Sequence, residues 1–91
     1  MTKLDAKFYG EIRKVKDDSI LDDGEWMVFL ARDDAFALLL PIYFEICRAM
    51  GADYEHLEAV NRTIRRMQMW RETNLDRCHV PGAKGEKLLD Q

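Results

Sequence analysis

Large apolar residues recur at Leu57, Val60, Ile64, Met67 and Trp70. Steps of three and four place them on one stripe of an α-helix. Asp53 precedes this stripe as an N-cap, so a long helix is expected over 53–74. A second helix is expected over 34–50, with Asp33 as N-cap and Gly51 as the residue that ends it. Pro41 falls inside that segment. It either kinks the helix by removing a hydrogen bond or opens a new one as its first residue. Two helices joined by so short a turn form an αα-hairpin.

The 34–50 helix is unusually apolar. The run from Ala35 to Phe44 contains no charge, and up to Met50 only Glu45 and Arg48 are charged. At about 100° per residue, Phe36, Leu39, Leu40, Tyr43, Ile46, Cys47 and Met50 fall on one face. Phe44 lies on one flank, Leu38 and Ile42 on the other. The apolar arc is about 200° wide, where about 100° suffices for a surface helix. Either this helix lies at the centre of the monomer, or part of its arc is an interface. The interface candidates are Leu38, Ile42, Tyr43 and Phe44.

Elsewhere the pattern is weaker. Leu4, Phe8, Ile12 and Val15 are spaced as a stripe of an amphipathic helix, with Thr2 and Asp5 resembling a capping box. Gly10 weakens that helix by about 1 kcal/mol relative to Ala. "DDSILDDGE" is a polar connection. "WMVFLA", 26–31, has no decisive period. It lacks a partner strand, and Asp22 or Asp23 can cap a helix there, so a short helix is expected. Pro81, Gly82 and Gly85 mark an extended or disordered tail, with Leu88 and Leu89 its only adjacent large apolar pair. The fold expected is all-α. Three or four helices are built on the 34–50/53–74 hairpin, in a single domain of residues 1–76 followed by a flexible tail, 77–91.

Composition agrees with a globular chain: 91 residues, 47% hydrophobic and 34% charged, with a net charge of −3. This length supports one core with little margin. The ten-residue apolar run is half of what a membrane span needs, and no membrane association is expected. The first residues, "MTKLDAKFYGEIRK", show no apolar segment of a secretory leader. Two cysteines, Cys47 and Cys78, make no disulfide framework, so a reducing, cytoplasmic location is expected.

Catalytic chemistry is poorly supplied. Ser19 is the only serine and has no histidine near it in sequence. Thr63 and His56 are two turns apart, too far to touch, whereas a nucleophile needs an oriented base. His56 reads as a packed histidine at the edge of the apolar stripe. Adjacent Cys78 and His79, with Cys47 remote, do not supply the spaced ligands of a tetrahedral metal site. The acidic loop fails the calcium-loop pattern, because Leu21 stands where a ligand is required. No enzyme, metal or cofactor is expected.

Charge is unevenly distributed. Residues 17–34 hold seven acids and one arginine, whereas residues 61–77 hold five arginines and two acids. Arg62, Arg65 and Arg66 share the helix face opposite the Leu57–Ile64 stripe. They are a candidate face for phosphate or an acidic partner, although a nucleic-acid domain is usually basic as a whole. The plain alternative is a solvated face with Glu58 and Arg62 as an i,i+4 pair.

The stretches "EWMVFLARDDAFALLLPIY" and "DRCHVP" resemble small uncharacterised proteins of bacteria and their phages. The resemblance covers most of the chain and implies an origin, with no activity and no functional residue attached. The sequence therefore points to a non-enzymatic interaction protein that self-associates as a homodimer, or docks on a protein partner, through the 34–50 helix. The alternative is a small helical nucleic-acid-binding protein that uses the arginine face.

Overall fold

The computed structural model describes Phe8 and residues 10–82. Among these residues the chain forms two α-helices, α1 (Asp34–Ala49) and α2 (Tyr54–Thr73), and two short 3₁₀ turns, Asp23–Glu25 and Leu75–Arg77. It has two isolated β-bridges and no strand among the described residues. The class is all-α, as expected. The chain divides into two units, Phe29–Ala83 and Met1–Val28 with Lys84–Gln91.

The Phe29–Ala83 unit is the helical hairpin. Its helix limits follow from local chemistry. The Asp33 carboxylate accepts the Phe36 N–H at 2.9 Å, and the Asp53 carboxylate accepts the His56 N–H at 2.8 Å. Each satisfies a backbone donor that has no partner inside the helix. At the other end of α1, the Gly51 N–H donates to the Arg48 carbonyl at 3.1 Å and the Ala52 N–H to the Cys47 carbonyl at 3.0 Å. That pair of bonds is the Schellman motif. It places Gly51 at φ 88°, where the absence of a Cβ removes the steric cost. Pro41 lies within one uninterrupted α1, so it does not begin a separate helix.

The hairpin closes on a small core of Leu40, Val60, Ile64 and Met67, with Ala31, Phe36, Ala37 and Phe44 packed against it. The α2 stripe is therefore the core face, with Leu57 and Trp70 half-buried at its ends. Only Leu40 of α1 is buried. Arg71 fastens the open end of the hairpin. Its Nη2 donates to Asp34 Oδ1 at 2.7 Å and its Nη1 to the Ala31 carbonyl at 3.0 Å. Beyond α2 the chain turns back. The His79 N–H donates to the Arg32 carbonyl at 3.1 Å, and the Asp34 N–H to the His79 carbonyl at 3.0 Å. Residues expected to begin a loose tail thus carry backbone bonds as far as His79. Leu88 and Leu89 lie outside the described residues.

The 26–31 segment corrects an expectation, since it contains no helix. The 3₁₀ turn ahead of it ends at Glu25, whose carboxylate accepts the Asp22 N–H at 3.0 Å. Trp26 then adopts extended backbone, φ −133° and ψ 160°. From Trp26 to Leu30 burial alternates between half-buried and exposed, the period of an extended chain. The Ala31 carbonyl, which a helix would have used, goes to Arg71.

The Met1–Val28 part holds a second correction. The helix expected along Leu4–Val15 does not extend over residues 10–15. Leu4 and the Thr2–Asp5 pair lie outside the described residues. Arg13 and Ile20 instead form an antiparallel bridge around a loop. Lys14 donates to the Ser19 carbonyl at 2.8 Å, and Asp18 donates back to the Lys14 carbonyl at 2.9 Å. Asp18 takes φ 62°, a conformation that Asp tolerates better than most residues. Asp17 accepts both the Ser19 N–H at 3.0 Å and the Ser19 hydroxyl at 2.6 Å. Such side-chain bonds compete with helix formation. Val15, placed on the expected apolar stripe, is fully exposed.

Candidate functional site

The hairpin buries Leu40 and half-buries Phe36, Phe44 and Cys47 of the wide apolar arc, while much of the rest stays in solvent. Leu38 is 74% exposed, Ile42 54% and Met50 81%. Leu39, Tyr43 and Ile46 are also exposed. Steps of four, three and four join Leu39, Tyr43, Ile46 and Met50 in one row. Leu38 and Ile42, four residues apart, form a second row beside it. Of the four residues singled out from sequence, Leu38, Ile42 and Tyr43 lie on this open side. Phe44 does not: it packs against the core. Glu45 and Arg48 pair with each other through the carboxylate and guanidinium, both exposed.

At the turn end of the row, α1 and α2 bring three polar groups together. Cys47 Sγ lies 3.7 Å from His56 Nε2. The Tyr43 ring meets the imidazole edge-on, with centroids 6.4 Å apart. Hydrogen bonding to Cys47, followed by the charge of its thiolate, raises the Tyr43 phenol above its ordinary pKa. A thiol beside an imidazole resembles part of a nucleophilic pair, but a working base needs a third group to orient it. No described residue bonds the other nitrogen of His56. The contact joins the ends of the two helices. Sequence spacing alone did not reveal it, because nine positions and a turn separate the two residues. Cys47 and His56 lie at the close of one helix and the start of the next, and that placement was the available signal.

Cys78 donates from Sγ to the Asn74 carbonyl at 3.4 Å, and His79 Nδ1 lies 3.1 Å from the Arg77 carbonyl. Among the described residues no group of three or more His, Cys, Asp or Glu is placed to hold a metal. Among the same residues no helix is long and apolar enough to cross a membrane.

The three arginines of α2 are all exposed but not equivalent. Arg62 lies 4.0 Å from Glu58, one turn earlier, and Glu58 also accepts the Tyr54 hydroxyl at 2.8 Å. Arg65 and Arg66 have no ion-pair partner among the described residues. Two further arginines matter that charge counting did not single out. Arg77 lies over the Trp70 ring at 5.1 Å from its centroid, a cation–π contact. Arg71 follows Met67 by four on the apolar stripe, so it was the one charge out of pattern.

Comparison with family models, with curated proteins and with solved structures finds no match to this chain.

Proposed function

We propose that the protein is a non-enzymatic interaction module that self-associates through α1 as a two-fold dimer. The observation that carries this reading is the open side of α1, where Leu38, Leu39, Ile42, Tyr43, Ile46 and Met50 are all exposed. An exposed apolar patch of this kind marks a protein contact. From Leu38 to Met50 the rows run about 18 Å along the helix. A second copy turned by a two-fold axis presents the same rows, so like meets like along that length. The Glu45–Arg48 pair beside the rows offers complementary charge at the rim. Each large side chain fully buried in such a contact contributes about 1.5–3 kcal/mol of transfer free energy. A few of them, counted in both copies, offset an association cost of several kcal/mol.

Solution mass across a concentration series, read beside circular dichroism, tests the proposal. The wild-type protein is expected to run as a dimer at micromolar concentration. Ile42→Glu is expected to give a folded monomer, because Ile42 lies on the open side. Phe44→Glu is expected to unfold the hairpin, because Phe44 packs against the core. A wild-type protein that stays monomeric at high micromolar concentration rejects the dimer.

A second reading, nucleic-acid binding, draws on Arg65 and Arg66, which are exposed and have no ion-pair partner among the described residues. It requires binding whose affinity falls steeply with salt. The triple change of Arg62, Arg65 and Arg66 to Ala would have to flatten that slope. Unchanged affinity in the triple variant rules this face out.

A further inference from the structure

The side of the hairpin that carries Phe29 holds a groove of about 300 Å3. Phe29, Phe36, Leu40, Met67 and Trp70 line it. The Phe29 and Phe36 rings are stacked, with centroids 5.0 Å apart and planes 7° from parallel. The polar side chains on the lining are those of Thr63 and Arg66. The Thr63 hydroxyl already donates to the Ala59 carbonyl at 2.9 Å. Arg66 has no ion-pair partner among the described residues. Arg77, over the Trp70 indole, adds a second positive charge nearby.

We infer that this groove binds a small amphipathic acid, with an apolar body laid along the aromatic lining and one anionic head at Arg66. The site is independent of the open side of α1. Three features select the occupant. A space of this volume corresponds to about ten waters, or a ligand body of about ten non-hydrogen atoms. An apolar lining with a single convergent charged group is the usual composition of a small-molecule site. The Arg66 guanidinium selects an anion and offers a fork that matches a carboxylate in two parallel bonds. A nucleobase is the weaker fit. Its polar edge would enter an apolar groove whose one hydroxyl is already bonded, leaving its donors and acceptors without partners.

The probes are decanoate, decanol and adenosine monophosphate, each titrated below any micelle threshold into the full-length protein. Two-dimensional NMR reads the Trp70 indole N–H and the Phe29 and Phe36 ring protons. Decanoate is expected to move these signals with a dissociation constant of about 1 mM or tighter. Arg66→Gln is expected to weaken decanoate at least about tenfold and to leave decanol unchanged. Arg66 is exposed, so the variant is expected to keep the remaining amide spectrum. Thr63→Phe, which fills the groove from α2, is expected to abolish both signals. Three results overturn the proposal: no shift at these rings with decanoate, equal decanoate affinity in Arg66→Gln, or adenosine monophosphate binding more tightly than decanoate at the same residues.

Discussion

At Gly51 the backbone turns with φ 88°, and apart from Gly51 and its two chain neighbours no atom lies within 4 Å of where a Cβ would sit. Space is therefore not the constraint, and the left-handed conformation is. Gly51→Ala is expected to destabilise the hairpin by about 1–2 kcal/mol, measured by urea unfolding. Another single residue reports on the loop of the N-terminal unit. The Ser19 hydroxyl, and then its N–H, hold the Asp17 carboxyl below its ordinary pKa of 3.8. A depressed carboxylate contributes stability that is present above its unfolded pKa and lost as pH falls through the lower folded value. The Lys14–Ser19 loop is thus expected to loosen only below that ordinary value. Ser19→Ala removes the larger of the two bonds. The Asp17 titration midpoint, followed by NMR, is expected to move up towards 3.8.

Among the elements, α1 and α2 were legible because their signals are local. Asp33, Asp53 and Gly51 each act within a turn of the chain, and the Leu57–Trp70 spacing leaves one face for the core. Residues 10–15 misled for the opposite reason. Ile12 and Val15 fit a helical step, but Asp17, Asp18 and Ser19 close a loop through side-chain bonds that no hydrophobic period reveals. "WMVFLA" offered no period, and its last carbonyl depends on Arg71, forty positions away. The open side of α1 was legible only in part. The width of the arc left two outcomes open, a helix covered on all sides or one with an uncovered flank, and the choice depended on how α2 docks; Phe44 went to the core. Pro41 is the element's own weak point, since a proline inside a helix costs about 3 kcal/mol relative to Ala. Pro41→Ala is expected to raise stability by up to that amount, visible as an increase in melting temperature. No gain would mean that α1 is already relieved at this position.

For the molecule as a whole, the open end of the hairpin is held in part by Arg71. Its guanidinium is held in its charged form first by the hydrogen bond to Asp34, against the cost of partial burial. The Arg71 side chain is 22% exposed and that of Asp34 36%, so solvent screens the pair. Arg71→Gln is expected to cost about 1–2 kcal/mol, through the lost ion pair and the unpartnered Ala31 carbonyl. Arg71→Lys is expected to recover only part of this, because an ammonium cannot serve both acceptors in the same fork geometry. An Arg71→Lys variant as stable in denaturant as the wild type would show that charge alone matters.

The backbone bonds between His79 and residues 32 and 34 also bear on the order of events during folding. The α1–α2 contacts join segments separated by one short turn, and such local contacts form early. The His79 bonds join two segments on opposite sides of the whole hairpin. Their closure entropy must be met before the bonds return any energy. They are therefore expected to form on the native side of the folding barrier, so that their loss accelerates unfolding and leaves the refolding rate nearly unchanged, as read from the two limbs of a denaturant chevron.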